Sequence, residues 1–485
     1  MKNSALFTDF YELTMAQGYW KHGFDKKAVF DVFFRRHPFQ GGFSVFAGLD
    51  PVLDTLENLR FSEDDLAWLS SRGVFEPGFV DYLAGFRFRG DVCAVPEGEV
   101  VFPQIPLLRI EAGLIEAQII EGMVLNTINF QSLIATKSAR VALAAKDHRI
   151  MEFGLRRAQG FDGAMSASRA AFIGGAHGTS NTLAGRVYGI PVMGTMAHSW
   201  VMAFPDELQS FEAYSSMYPD STVLLIDTYD TLASGIHNAI TVGKRLVAAG
   251  KRFGVRLDSG DMDYLSRAVR AELDAAGLQD AFIAVSNELD EEIIERLVAE
   301  GAPIDTWGVG THMVTGGRES SFTGVYKLAA IERDGRMEPT MKFSDNPDKA
   351  TNPGIKDAYR VFGPSGMALA DVMTLREEQL PEGQPTTFYH PSLDTRRFTY
   401  SPTGEVRRLL QPVMKAGKRL NPPRPLEEIR EYKTRSIAAF DHTYLRFLNP
   451  HGYKVSISAS LRQLKLDLLE RFRLPNGSAL PKPPA

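Results

Sequence analysis

The sequence predicts an α/β fold in which the middle of the chain forms a parallel sheet or (β/α) barrel and the two flanks pack into a separate, non-barrel domain. Three observations predict it. Short β-branched or aromatic runs recur with starts roughly 20 to 30 residues apart in the clearest stretch, the spacing of a βα unit. Helical patterns that stop at glycine lie between several of them. Most of the runs also finish on residues able to do chemistry or bind phosphate, as the carboxyl ends of barrel strands do.

Taken in order, the strand-like runs are RIMEFG (149–154), AFIGG (171–175), IPVMGT (190–195), TVLLID (222–227), RFGVRLDS (252–259), AFIAVSN (281–287) and IDTWGVGT (304–311). Leu265, Val269 and Leu273 recur every four residues and stop at Gly277. Ile293, Ile294 and Leu297 stop at Gly301, and Ile236, Ile240 and Leu246 stop at Gly250. The strand ends carry Arg156 and Arg157, Ser180 and Asn181, His198 and Ser199, Asp227, Asp258 and Ser259, Ser286 and Asn287, and then 308–311. Any single Ser, Asn or Asp among these can equally be a helix N-cap.

The N-terminal flank opens with a helix over 9–19, followed by β-rich stretches such as AVFDVFFRR and GDVCAVPEGEVVF. The C-terminal flank is richer in Pro, Gly and Arg; PEGQPTTFYHPS reads as loop and LPNGSALPKPPA as a frayed tail. The expected division is 1–125, a barrel over 126–340 that holds the active site, and a C-terminal segment over 341–485 that packs with the N-terminal domain.

Composition narrows the function classes. The 485 residues are 44% hydrophobic and 23% charged, with a net charge of -5. That suits a soluble globular protein with a large core. No basic excess favours nucleic acid or an anionic membrane, so an anionic ligand must be held by local arginines, lysines and backbone amides. Cys93 is the one cysteine, and no Cys/His cluster has zinc spacing. Without an apolar leader or a spanning run, the cytoplasm is the expected location.

Several stretches carry candidate chemistry. PVMGTMAHSW ends a strand-like run on Thr195 and His198, whose imidazole can be structural, a base or a nucleophile. In GVGTHMVTGG, Gly310 lets backbone amides approach a phosphate and Thr311 adds a hydroxyl, although an ordinary flexible loop reads the same way. VRLDSGD holds Arg256, able to grip a carboxylate in bidentate fashion, and Asp258, able to orient ribose hydroxyls or meet Mg²⁺; a structural ion pair is the alternative. MEFGLRRAQG sets Phe153 three residues before Arg156, which suits a flat anionic heteroaromatic ring or, equally, a core Phe with solvated arginines. Tyr11 lies among Phe7, Phe10, Met15 and Tyr19 at helical spacings that usually mean core. Lys327, Lys342 and Lys349 can bind phosphate or simply face water.

Together these stretches resemble one family, nicotinate phosphoribosyltransferase. The likeness runs from about residue 6 to 450 through TDFYELTMAQGYW, FDVFFRRHPF, EFGLRRAQGFDGAMSASRAAFIGGAHGTSNTLAG, PVMGTMAHSW, RLDSGD and GVGT, in order. It implies a type II phosphoribosyltransferase fold, an irregular (β/α) barrel with a second α/β domain built from the N- and C-terminal flanks. It also implies an ATP-coupled, ligase-type reaction, the first step of NAD synthesis from nicotinate: nicotinate, phosphoribosyl pyrophosphate (PRPP), ATP and water give nicotinate mononucleotide, pyrophosphate, ADP and phosphate. Mg²⁺ and a homodimer with sites at the subunit interface are further implications.

By the same resemblance His198 matches a transiently phosphorylated histidine, and Thr195 and Arg256 match nicotinate contacts. Tyr11, donated by the neighbouring subunit, and Phe153 match the pair that sandwiches the pyridine. Gly310 and Thr311 match PRPP contacts, Asp258 the ribose or metal carboxylate, and Arg156 a phosphate contact. The related nicotinamide enzyme carries an aspartate where this chain reads GAHGTSNTLAG, so uncharged Ser180 or Asn181 implies preference for the acid. The competing readings are a nicotinamide or quinolinate phosphoribosyltransferase, or a non-catalytic PRPP- or nucleotide-binding protein on the same fold.

Overall fold

The computed structural model describes residues 4–343, 350–378, 380, 384–393, 395–400 and 404–473. Lys349 and the tail 474–485 lie outside them. The chain divides into two compact units. One comprises Met1–Ser132, Ser321–Pro425 and Glu431–Ala485; the other comprises Leu133–Ser320 and Leu426–Arg430.

The second unit holds the parallel sheet. Its strands are β1 (Arg149–Glu152), β2 (Gly178–Thr179), β3 (Thr222–Leu225), β4 (Phe253–Leu257), β5 (Phe282–Asn287) and β6 (Thr306–Val309). They lie in the order β2-β1-β6-β5-β4-β3, and every pair is parallel. Placing the last strand beside the first, with Glu152 opposite Val309, curls the sheet into a partial barrel. All six carboxyl ends then face one rim. One face of the sheet is apolar and buried through Val255, Leu257, Ile283, Val285, Trp307 and Val309, and the alternate positions, Arg256 and Ser286 among them, face the other way.

The helices α1 (Gly160–Gly174), α2 (Thr182–Tyr188), α3 (His198–Met202), α4 (Glu207–Met217), α5 (Ile236–Ala248), α6 (Met262–Ala275) and α7 (Glu291–Ala299) lie between these strands, and α8 (Thr311–Thr315) follows β6. Gly250, Gly277 and Gly301 follow α5, α6 and α7 with positive φ, as the glycine-stop pattern predicts.

Two expected strands are corrected. AFIGG is the carboxyl end of α1, not a strand. A short apolar run reads the same in a buried helix, and the alanines before it (Ala164, Ala167, Ala170) favour helix. IPVMGT forms only an isolated bridge from Val192 to Thr179. Pro191 lacks a backbone N–H, and residues 191–194 are exposed, so the segment does not extend the sheet.

In the other unit, strands from both flanks share sheets. Lys27–Phe34 lies between Gly324–Arg333 and Leu108–Gly113, antiparallel to both. A second sheet contains Lys356–Phe362, Ala368–Leu375 and Lys454–Ile457. It also takes in Thr386–Tyr389, a strand inside the stretch read as loop. Arg360 is buried between Glu99 and Asp371, its Nε 2.8 Å from Asp371 Oδ1. Such a pair tolerates burial because the hydrogen bonds offset desolvation. Among the described residues no helix is long and apolar enough to cross a membrane.

Candidate active site at the sheet rim

Arg256 lies one residue before the end of β4, so its side chain emerges at the rim, where it is only 16% exposed. Its Nε donates to Ser286 Oγ at 3.0 Å. One Nη donates to the Thr195 hydroxyl, and the other lies 3.4 Å from Asp258 Oδ1. Ser286, at the end of β5, also donates to Asp258. The guanidinium is thus fixed in plane by three different segments before any ligand arrives, which lowers the ordering cost of gripping a carboxylate.

His198 begins α3. Its Nδ1 is 3.1 Å from Thr228 Oγ1, and its Nε2 is 3.7 Å from Asp258 Oδ2. Asp227 accepts the Asp258 backbone N–H at 2.8 Å and the Ser259 hydroxyl at 2.7 Å through Oδ2. Asp227 Oδ1 is buried without a hydrogen-bond partner among the described residues. The imidazole, two carboxylates and the guanidinium therefore form one connected cluster.

Phe153 follows β1, and its backbone N–H donates to Val309 at 2.9 Å. Its ring lies over Gly308, where an added Cβ would come within 2.7 Å of the ring and 3.1 Å of Ser286 Cβ. The bare glycine leaves the room that this ring edge occupies on the Ser286 side of β6. Gly310 precedes α8, and Thr311 opens it. The Thr311 hydroxyl donates to Glu288 Oε1 at 3.2 Å, and Glu288 Oε2 is 3.6 Å from His312 Nε2. Arg156 is exposed on the turn Leu155–Arg157.

Ser180 and Asn181 differ in placement. Asn181 is buried and caps α2, its Oδ1 accepting from the Ala184 N–H at 3.1 Å. Its amide donates to Ser168 Oγ at 3.2 Å. The Asn181 side chain is consumed inside the protein, while Ser180 is half-exposed.

Tyr11 belongs to the other unit, where it is 50% exposed on the helix Phe10–Lys21. Burial and the nearby Glu121 and Glu12 carboxylates push its hydroxyl up to about 12. Lys327, half-buried in the same unit, donates to the Tyr326 carbonyl at 2.7 Å. Burial lowers its pKa against the pull of Glu121. Lys342 is exposed there.

Four rim residues had no assigned role in the sequence. Ser286 and Asp227 were visible only as strand ends. Thr228 and Glu288 each lie one residue beyond a strand-end position, a weak signal that gains meaning only from the partner across the rim.

Mg²⁺ fits this donor set in a limited way. Among the described residues no three His, Cys, Asp or Glu side chains are grouped to hold a metal. Mg²⁺ commonly takes only one or two carboxylates and completes its shell with water and substrate phosphates. Asp258 and the unpartnered oxygen of Asp227 fit that pattern.

Similarity to known proteins agrees with this chemistry. Three family descriptions match: the nicotinate phosphoribosyltransferase (NAPRTase) N-terminal domain over 6–129, the nicotinate phosphoribosyltransferase (NAPRTase) family over 148–362, and the nicotinate phosphoribosyltransferase C-terminal domain over 355–465. Nicotinate phosphoribosyltransferase of Bacillus subtilis (strain 168) is 41% identical over 471 residues, covering 97% of this chain and 96% of the relative. The crystal structure of human nicotinic acid phosphoribosyltransferase superposes with a TM-score of 0.82 at 32% identity, covering 95% of this chain and 99% of that one. Nicotinate-nucleotide pyrophosphorylase of Pyrococcus furiosus shares the fold, with a TM-score of 0.70 at 22% identity and coverage of 90% and 95%. The partial barrel is therefore that of the type II phosphoribosyltransferases. With relatives this similar across nearly its whole length, the chain belongs to the nicotinate phosphoribosyltransferase family.

Proposed function

We propose that the chain joins nicotinate to PRPP, forming nicotinate mononucleotide and pyrophosphate, and that ATP hydrolysis drives the reaction through a phosphate carried on His198. The observation that carries the proposal is Arg256, a guanidinium preset by Thr195, Ser286 and Asp258 at the rim. Facing the nicotinate carboxylate, it leaves the ring nitrogen free to attack, with Phe153 as a flat wall. Ser180, uncharged and half-exposed, is the residue we assign to preference for acid over amide.

In the reaction the ring nitrogen forms a bond to the anomeric carbon as the bond to pyrophosphate oxygen breaks. Positive charge builds on the sugar and negative charge on the leaving group. Positioning and charge stabilisation are what the site supplies. Thr311 turns its hydroxyl from Glu288 toward the sugar phosphate, Gly310 offers backbone beside it, and Arg156 adds positive charge. Asp258 and Asp227 would hold a Mg²⁺ ion, which when bound would supply positive charge against the leaving pyrophosphate. In the coupled half-reaction an imidazole nitrogen of His198 takes the terminal phosphoryl group of ATP, ADP leaves, and water later releases phosphate.

We also assign a homodimer. Tyr11 and Met15, one turn apart on the helix Phe10–Lys21, and Phe7, just before it, are 50%, 38% and 57% exposed. An apolar stripe of this kind suits burial against a second copy, which would receive Tyr11 against its own Phe153. The substrates and the single cysteine suit the cytoplasm.

Parallel turnover of nicotinate, nicotinamide and quinolinate with PRPP and Mg²⁺, with and without ATP, tests this reading. Nicotinate should be used best and faster with ATP. Protein incubated with ATP should carry an acid-labile, base-stable phosphate that His198→Ala lacks, while slow uncoupled turnover survives. Better use of nicotinamide would refute the substrate choice, and label retained in His198→Ala would refute the relay.

A further inference from the structure

Glu152 ends β1, immediately before Phe153, and is wholly buried. No basic side chain is paired with it in the described structure. Its carboxylate instead accepts from three neutral donors: the Gly154 backbone N–H on one oxygen, and the Ser168 hydroxyl at 2.9 Å and the Thr179 hydroxyl on the other. These donors come from the turn after β1, from α1 and from β2. The Glu152 carbonyl also accepts from the Ser180 N–H at 2.9 Å. One residue thereby ties together the backbone carrying Phe153 and the backbone carrying Ser180.

The donors converge on the carboxylate. The Asn181 N–H donates to Thr179 Oγ1 at 2.9 Å, and its side-chain amide donates to Ser168 Oγ at 3.2 Å. Thr179 in turn donates to Glu152, while the single Ser168 proton lies between Glu152 at 2.9 Å and the Ala164 carbonyl at 3.0 Å. A carboxylate accepts on both oxygens, from Gly154 on one and from the hydroxyls on the other. An amide of the same shape either sets an N–H₂ against the Gly154 N–H or forces the hydroxyls to turn away.

We propose that Glu152 is a positioning residue for the pyridine: the collecting point of a buried hydrogen-bond network that sets the distance and angle between the Phe153 ring and Ser180. The inference rests on the assignment of those two residues to the pyridine site. Its consequence is a selective one, because Arg256 and the Gly310–Thr311 turn are carried by other strands, and of the residues assigned to PRPP only the exposed Arg156 shares the turn after β1.

The test uses full-length Glu152→Gln, with Ser168→Ala as a milder second variant that removes one donor and keeps the carboxylate. In Glu152→Gln the nicotinate KM should rise about tenfold or more while the PRPP KM moves by less than about threefold, since misplacement of a bound ring is felt mainly by that ring. Ser168→Ala should shift the nicotinate KM in the same direction by a smaller factor. Equal rises in both KM values, or no rise in either variant, would overturn the proposal. If Glu152→Gln does not fold, the selective shift in Ser168→Ala decides. Wild-type protein measured in parallel separates the two claims: no nicotinate turnover there counts against the substrate assignment, not against Glu152.

Discussion

Glu12 shows how one residue can set the working range of a whole segment. It follows Tyr11 and is completely buried. One oxygen accepts from the Thr8 hydroxyl and from the Asp9 N–H at 3.2 Å; the other has no partner among the described residues. Burial first, and then the charge on Glu121, push its pKa up to about 8. An acid whose pKa is higher folded than unfolded stabilises the fold fully below its ordinary value near 4.5. That contribution is lost as pH rises through about 8. Melting temperature should therefore fall by roughly 3 °C between about pH 6.5 and 9, and Glu12→Gln should flatten that slope. An unchanged slope in the variant would mean that Glu12 is ionised in the folded state throughout. With Tyr11 in its proposed place against the pyridine and in the same helical turn as Glu12, the nicotinate KM should climb over the same range.

Among the elements, the ends of the parallel strands were the most legible in the sequence. β3, β4, β5 and β6 fall inside the expected runs because each is a short apolar segment closed by turn residues. The run over 171–175 misled because a buried helix end and a buried strand share one apolar signature. Residues 386–389 were hidden among prolines and glycine, although Thr386 and Thr387 are good strand formers. Within β6 the sequence shows Gly308 only as a glycine, whereas the structure shows its purpose: the Phe153 ring occupies the space a side chain would need. Gly308→Ala should push that ring off its seat and cut kcat/KM for nicotinate by about tenfold or more, with the fold retained. Unchanged kinetics would show that the ring position does not matter to turnover.

For the whole molecule, local pattern revealed the barrel but not the sheets of the other unit. Lys27–Phe34 pairs with Gly324–Arg333, and no local signal links segments so far apart in the chain. The rim residues divide the same way. His198, Arg256, Asp258 and Phe153 stood out because their motifs match a family. Thr228, Ser286, Glu288 and Glu152 did not, because each acts through a partner that only the folded register supplies. Asn181 was half of an open choice, and its buried place as a helix cap is why Ser180 is the one proposed. What these levels share is a guanidinium fixed in place before nicotinate arrives. The most direct measurement is steady-state kinetics of Arg256→Gln with nicotinate and PRPP varied separately. Loss of a preset charge-assisted grip predicts a fall of about a hundredfold in kcat/KM for nicotinate, with the PRPP KM little changed. A nicotinate KM that stays at the wild-type value would contradict the account.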